Sequence, residues 1–330
     1  MLSLLQCLTV FPDQVHDGGM STATLVPIKS TPRQSPSGSY GRGASHLSSP
    51  GKCERLYAFR HVHKISPKFS PDYMLLGTLV HTHLAYHYQD VIQKTGQGID
   101  LNPEWYSTPK DKALAYDASG RPDLIEESNM IYEAYADWYS ADYWRPLAAE
   151  FEFVATVKEL DPDGSGPEDG MEIVAKVDLF YEENGENYIC DHKTKQPRWG
   201  SQRLPEWSDE DFLLSWQVLL YTRIVRVHCR REGIKPPKGF SIQRVLRSLP
   251  FDSDRHVLRI PGEAYAQTPR TARMLARREY DLLKRLDKGE PVVPNFSACG
   301  GFFGCDYQSL CAAGPLERQQ LLKTMYVRNQ

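Results

Sequence analysis

The 330-residue chain has no apolar run approaching the roughly 20 residues that cross a bilayer, so no membrane partner is expected. It also lacks a strong excess of either charge: 39 Lys and Arg stand against 42 Asp and Glu, a net of −3. The chain as a whole therefore does not attract nucleic acid, and any basic surface must be local. The seven cysteines are an odd count, and C-x2-C knuckles are absent. The first argues against a disulfide scaffold and the second against a common zinc ribbon. A reducing compartment, the cytoplasm, is expected. The apolar opening from Met1 to Val10 lacks a basic leader and a small-residue cleavage site. No secretory signal is expected, and Met20 offers a second start. There is no internal repeat.

What is present is an ordinary globular composition, 41% hydrophobic and 25% charged. Ser, Gly and Pro are dense between Ser30 and Pro50, so residues 1–50 read as a flexible arm. Order is expected from about Lys52, with a short helix over 53–60. Pro71 opens a stronger helix, 72–94, whose stripe is Leu76, Leu79, Val80, Leu84 and Val91. Residues 95–120 read as loop, and a second helix is expected over 124–144, ended by Pro146. Alternation predicts a strand over 151–160, and 161–170 reads as a long exposed turn. Further helices are expected over 209–231 and 268–287, with strands over 240–247 and 256–260. From Pro291 the chain reads as loop. This order of elements indicates a mixed α/β (α+β) fold, a central mixed sheet flanked by helices.

The chemistry concentrates in residues 173–194, I-V-A-K-V-D-L-F-Y-E-E-N-G-E-N-Y-I-C-D-H-K-T. Asn184-Gly185 between two β-rich runs predicts a tight hairpin. Asp178 lies on the first strand, and Asp191 and Lys193 on the second. Strand alternation puts Asp191 and Lys193 on one face, with His192 opposite. Paired carboxylates suit a hard divalent cation, and a nearby Lys can orient a water or offset charge on a phosphoryl group. The plain alternative is that strands often end in Asp and Lys. Downstream, Gln217-x-x-x-Tyr221 shares a helical face and can point at the same site, or be an ordinary helix flank with a half-buried Tyr. His81 reads either as a satisfied helical histidine or as an imidazole ligand completing the metal site. Glu150 reads as a further ligand or as an exposed strand-edge charge. His83 and His87 read as surface or packing residues.

The cysteines give a second signal. Cys299-x5-Cys305-x5-Cys311 places three thiols in a Gly- and Phe-rich loop, one short of a tetrathiolate. Cys53 is the natural fourth, although it lies 299 − 53 = 246 positions earlier. Four thiolates suit an iron–sulfur cluster, and zinc is the competing reading. Cys190 reads as core. Basic residues gather at 193–203, 223–238 and 270–285. Trp199, Trp207, Trp216 and Tyr221 interleave with them and can stack on bases. A solvated face is the plain reading of 270–285.

Gly77-x-x-x-His81, Val177-Asp178, Asp191-His192-Lys193-Thr194 and Gln217-x-x-x-Tyr221, with Cys53 and the terminal cysteine trio, resemble the RecB-type branch of the PD-(D/E)XK nucleases. The likeness is to its iron–sulfur exonucleases of the CRISPR-associated and AddB type, including phage relatives. The marks occur in the family's order over about residues 50–312. The resemblance implies a restriction-endonuclease-like core over residues 51–315, followed by a tail, 316–330. It implies Mg2+ or Mn2+ held by His81, Asp178 and Asp191 with the His192 carbonyl assisting, Lys193 as catalytic lysine, and Gln217 and Tyr221 as organisers of site and DNA. It implies a structural 4Fe–4S cluster on Cys53, Cys299, Cys305 and Cys311. The spacing of the tail cysteines varies among such relatives, and the arm and the insert before Glu150 have no clear counterpart. The expected function is a metal-dependent DNA exonuclease acting on single strands or ends, in recombination, repair or CRISPR-type processing, with recombination or helicase proteins as partners. The alternative is a non-catalytic DNA-binding scaffold of the same fold.

Overall fold

The computed structural model describes residues 42–68, 71–96, 121–139, 144–195, 214–246, 251–300 and 305–328, with single positions between these stretches. It begins with α1 (Ala44–Lys52), α2 (Glu54–Tyr57), a π-helical turn (Ala58–Val62) and β1 (Ile65–Pro67). Two long helices follow, α3 (Asp72–Thr95) and α4 (Pro122–Trp138). Next come β2 (Arg145–Thr156), the single turn α5 (Val157–Leu160), β3 (Glu172–Glu183) and β4 (Glu186–Lys195). Then α6 (Trp216–Arg231), β5 (Gly239–Leu246), β6 (Ser253–Leu258) and α7 (Gly262–Asp287) complete the central layers. A 3-10 turn (Phe296–Gly300), α8 (Gln308–Ala312), α9 (Pro315–Thr324) and β7 (Tyr326–Arg328) close the described chain.

The central sheet runs β2-β3-β4-β5-β6. Every neighbouring pair is antiparallel except β4 with β5, which is parallel. A parallel pair needs a crossover, and α6 supplies it. One face of the sheet buries Phe153, Phe180 and Phe240 against α1, α6 and α7 through Leu47, Ile224 and Ala276. The other face packs Tyr181 and Val245 against α3 and α4 through Val80, Leu84 and Ile131. A mixed sheet flanked by helices is therefore the observed architecture.

The sheet forks at its centre. β3 and β4 pair from Glu183↔Glu186 to Leu179↔Cys190. The turn between them has Asn184 at φ 53° and Gly185 at φ 75°, the two positive φ values that the Asn-Gly hairpin requires. Beyond Leu179↔Cys190 the strands part, β3 continuing beside β2 and β4 beside β5. Asp178 and Asp191 are the first residues past that last pair. The backbone of Arg42 lies alongside β3 farther from the turn, where the Val174 amide donates to its carbonyl at 3.4 Å.

Several boundaries differ from the sequence reading. Residues 44–50, expected within the arm, belong to α1 despite Pro50, because Leu47 is fully buried in the core. Residues 1–41 lie outside the described residues, as do most of 95–120, Trp199 and Trp207. The helix expected to reach 144 ends at Trp138. Pro146 lies inside β2 instead, beside a register shift. β2 is an edge strand, where a missing N–H costs little. Beyond Thr156 the chain turns into α5, because Thr156 and Glu159 cap each other's backbone in a capping box.

The stretch after Pro291 is not simply loop. α8, α9 and β7 pack with residues 56–65 in a small core of Phe59, Ile65, Tyr307, Leu310 and Tyr326. β7 pairs with β1, and the Tyr307 hydroxyl donates to the Ile65 carbonyl at 2.6 Å. The 316–330 tail thus contributes a helix and a strand to that core.

The exposed turn and the charged helix meet. Arg273 of α7 reaches Asp161 at 2.6 Å, Glu168 at 2.9 Å and Asp169 at 2.5 Å. Deeper on the same helix, buried Glu279 accepts from Arg42 Nε at 2.8 Å and Tyr57 at 2.9 Å, and contacts His46 at 3.1 Å. The 270–285 helix is therefore an internal clamp as well as a solvated face.

Candidate active site

The fork brings together the residues that the sequence singled out. The His192 amide donates to Asp178 Oδ2 at 2.7 Å, closing the gap just past the last β3–β4 pair. Asp191 and Lys193 share a face, as alternation requires, and Lys193 Nζ lies 2.6 Å from Asp191 Oδ2. Gln217 of α6 donates to the other oxygen, Asp191 Oδ1, at 3.0 Å. Tyr221 is one turn further along α6 and close enough for both aspartates to act on it electrostatically.

His81 arrives from the opposite layer. α3 crosses β4 at Gly77, where a Cβ atom would lie 2.9 Å from Thr194 Oγ1. A side chain at this position would press on Thr194, so glycine suits the close approach of helix to strand. One turn later His81 Nδ1 stands 3.5 Å from Asp178 Oδ2. The spacing Gly77-x-x-x-His81 therefore has a physical origin: the small residue lets the helix in, and the imidazole one turn on uses the approach.

Glu150 completes a triad. It faces Asp178 across β2–β3, between the pairs Ala149↔Leu179 and Phe151↔Val177. Its φ of 53° is unusual for a non-glycine residue in a strand. One ligand atom each from His81, Glu150 and Asp178 all lie within 4.8 Å of one another. This is the donor chemistry of a divalent-cation site, one imidazole with two carboxylates. Asp191 belongs to a second pairing, with Lys193 and Gln217. Glu150 is thus drawn into the cluster, while the side chain of His192 is buried and stacks on Tyr88 with ring centroids 5.8 Å apart.

The electrostatics follow from burial and crowding. Burial pushes the Asp178 carboxyl up to about 7, with Asp191 and Glu150 adding to the rise and His81 opposing it. Burial works against the Lys193 ammonium, but Asp191 and Asp178 outweigh it and hold its pKa above the ordinary value. The Tyr221 hydroxyl is raised by burial and by the same aspartates, so it stays protonated. Burial holds His192 well below its ordinary value, and therefore neutral. A carboxyl raised in this way, chiefly by burial, gains from a cation beside it, which favours its charged form.

Sequence reasoning missed Lys176. It lies on β3 two residues before Asp178, and its Nζ is 2.6 Å from Glu150 Oε2. Strand alternation from Asp178 was the available signal. Trp216, offered as a stacking residue, packs against the core.

The four singled-out cysteines also converge. Cys53, Cys299, Cys305 and Cys311 line one pocket, with Arg60 and Tyr307 beside them. Backbone closure brings them there: the Val293 amide donates to Glu54 at 2.9 Å, and Asn295 Nδ2 donates to the Lys52 carbonyl at 2.8 Å. All four are free thiols, while Cys190 and Cys229 are buried in the core.

A mixed α/β domain whose sheet opens around two aspartates, flanked by a lysine, an imidazole and a third carboxylate, has the build of a divalent-metal hydrolase. Residues 43–312 match the family model of the PD-(D/E)XK nuclease superfamily, and the chain belongs to that superfamily. Nucleases of this superfamily use divalent metals, which the triad's donor set suits. Among solved structures, a protein from Eubacterium rectale provisionally named an exonuclease aligns with 79% of this chain and 86% of its own, at 12% identity and a TM-score of 0.44. A comparison with curated proteins returns no match. No helix among the described residues is long and apolar enough to cross a membrane.

Proposed function

We propose that the protein is a metal-dependent DNA exonuclease acting on single strands or DNA ends. The observation that carries this reading is the fork, where Asp178, Asp191, Lys193, Gln217 and His81 meet from two strands and two helices. His81, Glu150 and Asp178 are the residues placed to hold Mg2+ or Mn2+, with Asp191 and the His192 carbonyl at the same fork. A bound divalent cation supplies Lewis acidity and a more acidic water. Lys193 is the group that orients the attacking water or meets charge growing on the phosphate. Gln217 fixes the Asp191 carboxylate, leaving its other oxygen to Lys193. Tyr221, kept protonated, offers a hydrogen-bond donor to a nucleic-acid backbone.

The cysteine pocket supports a structural 4Fe–4S cluster on Cys53, Cys299, Cys305 and Cys311. Four thiolates suit such a cluster, and zinc is the competing group. Recombination, repair or CRISPR-type DNA processing, with helicase or recombination partners, is the setting that fits such an enzyme. On this reading the nuclease domain runs from α1 to α8.

The test uses DNA labelled at the 5′ or 3′ end, single- and double-stranded, incubated with Mg2+ or Mn2+. The wild type is expected to release short products from an end, and Asp191→Ala and Lys193→Ala to lose at least about a hundredfold in rate. Equal digestion by all three proteins rejects the reading. Tight DNA binding without cleavage under either metal points to the scaffold role instead. Anaerobically purified protein is expected to carry iron and sulfide, and zinc alone would reject the cluster.

A further inference from the structure

The site holds two lysine–carboxylate pairs, and only one of them has a role in the reading above. Lys193 pairs with Asp191. Lys176 pairs with Glu150, and its ammonium reaches past its direct cross-strand neighbour, Glu152, to do so. Both partners are largely shielded, with the Lys176 side chain 27% and the Glu150 side chain 24% exposed. An ion pair screened this weakly interacts more strongly than one in open water. The backbone is arranged for it. Glu150 takes a left-handed conformation in mid-strand, and such a conformation persists only where its surroundings enforce it. The result puts one carboxylate within reach of both the Lys176 ammonium and the His81–Asp178 pair.

We propose that Lys176 is a built-in counter-ion of the cation site, neutralising Glu150 in the metal-free protein and surrendering that carboxylate when a divalent cation enters. The proposal rests on the reading of His81, Glu150 and Asp178 as the cation site. Its logic is electrostatic. Two carboxylates, Glu150 and Asp178, face each other across adjacent strands, and a positive charge beside them offsets their repulsion. Lys176 supplies that charge from the same face of β3. A divalent cation coordinated by Glu150 then stands beside an ammonium that has lost its partner, and the like charges repel. The lysine thus makes the metal-free site tolerable at the expense of metal affinity. It acts as a positioning residue, through Glu150.

The experiment measures Mn2+ binding to the full chain without DNA, from the electron paramagnetic resonance signal of free Mn2+. Wild type is compared with Lys176→Met, Lys176→Arg, Glu150→Gln and Asp178→Asn, each checked for folding by circular dichroism and thermal unfolding. Removing one positive charge from beside a divalent ion at this range is expected to tighten Mn2+ binding on the order of tenfold in Lys176→Met. Lys176→Arg keeps the charge and is expected to bind as wild type. Lys176→Gln replaces the methionine variant if that protein does not fold. Glu150→Gln and Asp178→Asn are expected to weaken binding. Unchanged or weaker binding in Lys176→Met, with Asp178→Asn still impaired, overturns the counter-ion role alone. A wild type that binds no Mn2+, or an Asp178→Asn protein that binds normally, overturns the cation site and the counter-ion with it.

Discussion

The contact between Gly77 and Thr194 allows a prediction whose sign is set by packing. An exposed helix would gain about 1 kcal/mol from Gly→Ala, because alanine loses less conformational freedom. At Gly77 the added methyl would stand 2.9 Å from Thr194 Oγ1, well inside ordinary contact. Thr194 lies on β4, and its branched side chain has few rotamers in which to retreat. Overpacking of this kind costs about 1–3 kcal/mol. Gly77→Ala is therefore expected to be destabilised by up to about 2 kcal/mol net, with each kcal/mol lowering Tm by about 2–4 °C. The displacement also carries His81, one turn further on, away from its 3.5 Å approach to Asp178. Mn2+ affinity should fall along with stability. Thr194→Ala removes the opposing oxygen, so the double variant Gly77→Ala/Thr194→Ala should recover both. Thermal unfolding and Mn2+ titration of the three proteins form the cycle. A Gly77→Ala protein that melts higher and binds Mn2+ as before would refute the account of the Gly77-x-x-x-His81 spacing.

Three further outcomes follow from contacts elsewhere. Burial, with His46 and Arg60 adding, pushes His61 down to about 3. The unfolded chain therefore takes up the extra proton between about pH 6.5 and 3, so this contribution is intact above the window and lost as pH falls through it. Near pH 5 that is about 2 kcal/mol, readable as a lower urea midpoint than at pH 7.5, and His61→Gln should flatten the slope. Arg273→Ala strips the counter-charge from Asp161 and leaves Glu168, whose side chain is 2% exposed, only Arg277 at 3.4 Å. A loss of about 3 kcal/mol in urea unfolding is expected, and wild-type stability would contradict the clamp. Cys53→Ser is expected to lower both the iron content of anaerobically purified protein and its Tm, whereas Cys229→Ser, in the core, should leave the iron content unchanged.

The sequence made the fold class and the grouping of the candidate site residues legible, and several element boundaries less so, for a physical reason. Asp191 and Lys193 are fixed on one face by strand alternation, Gln217 and Tyr221 by the helical turn, and the hairpin by Asn184-Gly185. Each of these is a relation over at most four residues. The features that stayed hidden depend on distant partners. Residues 44–52 are rich in Ser, Gly and Pro and have little intrinsic helix tendency. They become α1 because Leu47 is buried and because Glu279, some 230 positions later, holds His46. Pro146 reads as a helix stop, yet it sits in β2 because that strand is an edge, a fact of sheet order that no local window contains. The sequence leaves the role of Glu150 open for a similar reason. A charge on a strand becomes part of a cluster only when the opposite strand places Asp178 against it. Lys176 is the exception, since alternation from Asp178 put it on the site face all along.

The cysteine pocket and the fork, far apart in chemistry, are mechanically connected. Cys53 directly follows α1, and its amide donates to the Ser49 carbonyl at 2.9 Å. At the other end of that nine-residue helix, Gly43 lies against the Tyr221 hydroxyl, which would be 3.6 Å from a Cβ there. Arg42, the residue before, lies beside β3 and is held by Glu279. Glu279 also accepts from Tyr57 in α2, four residues past Cys53. Both ends of α1 are thus pinned, one beside the thiols and one beside Tyr221. A group that clasps Cys53 to the distant trio would fix one end of this rod and, through it, the backbone packed beside Tyr221. Such a group can therefore serve the site without donating an electron, because what it secures is the position of the first helix.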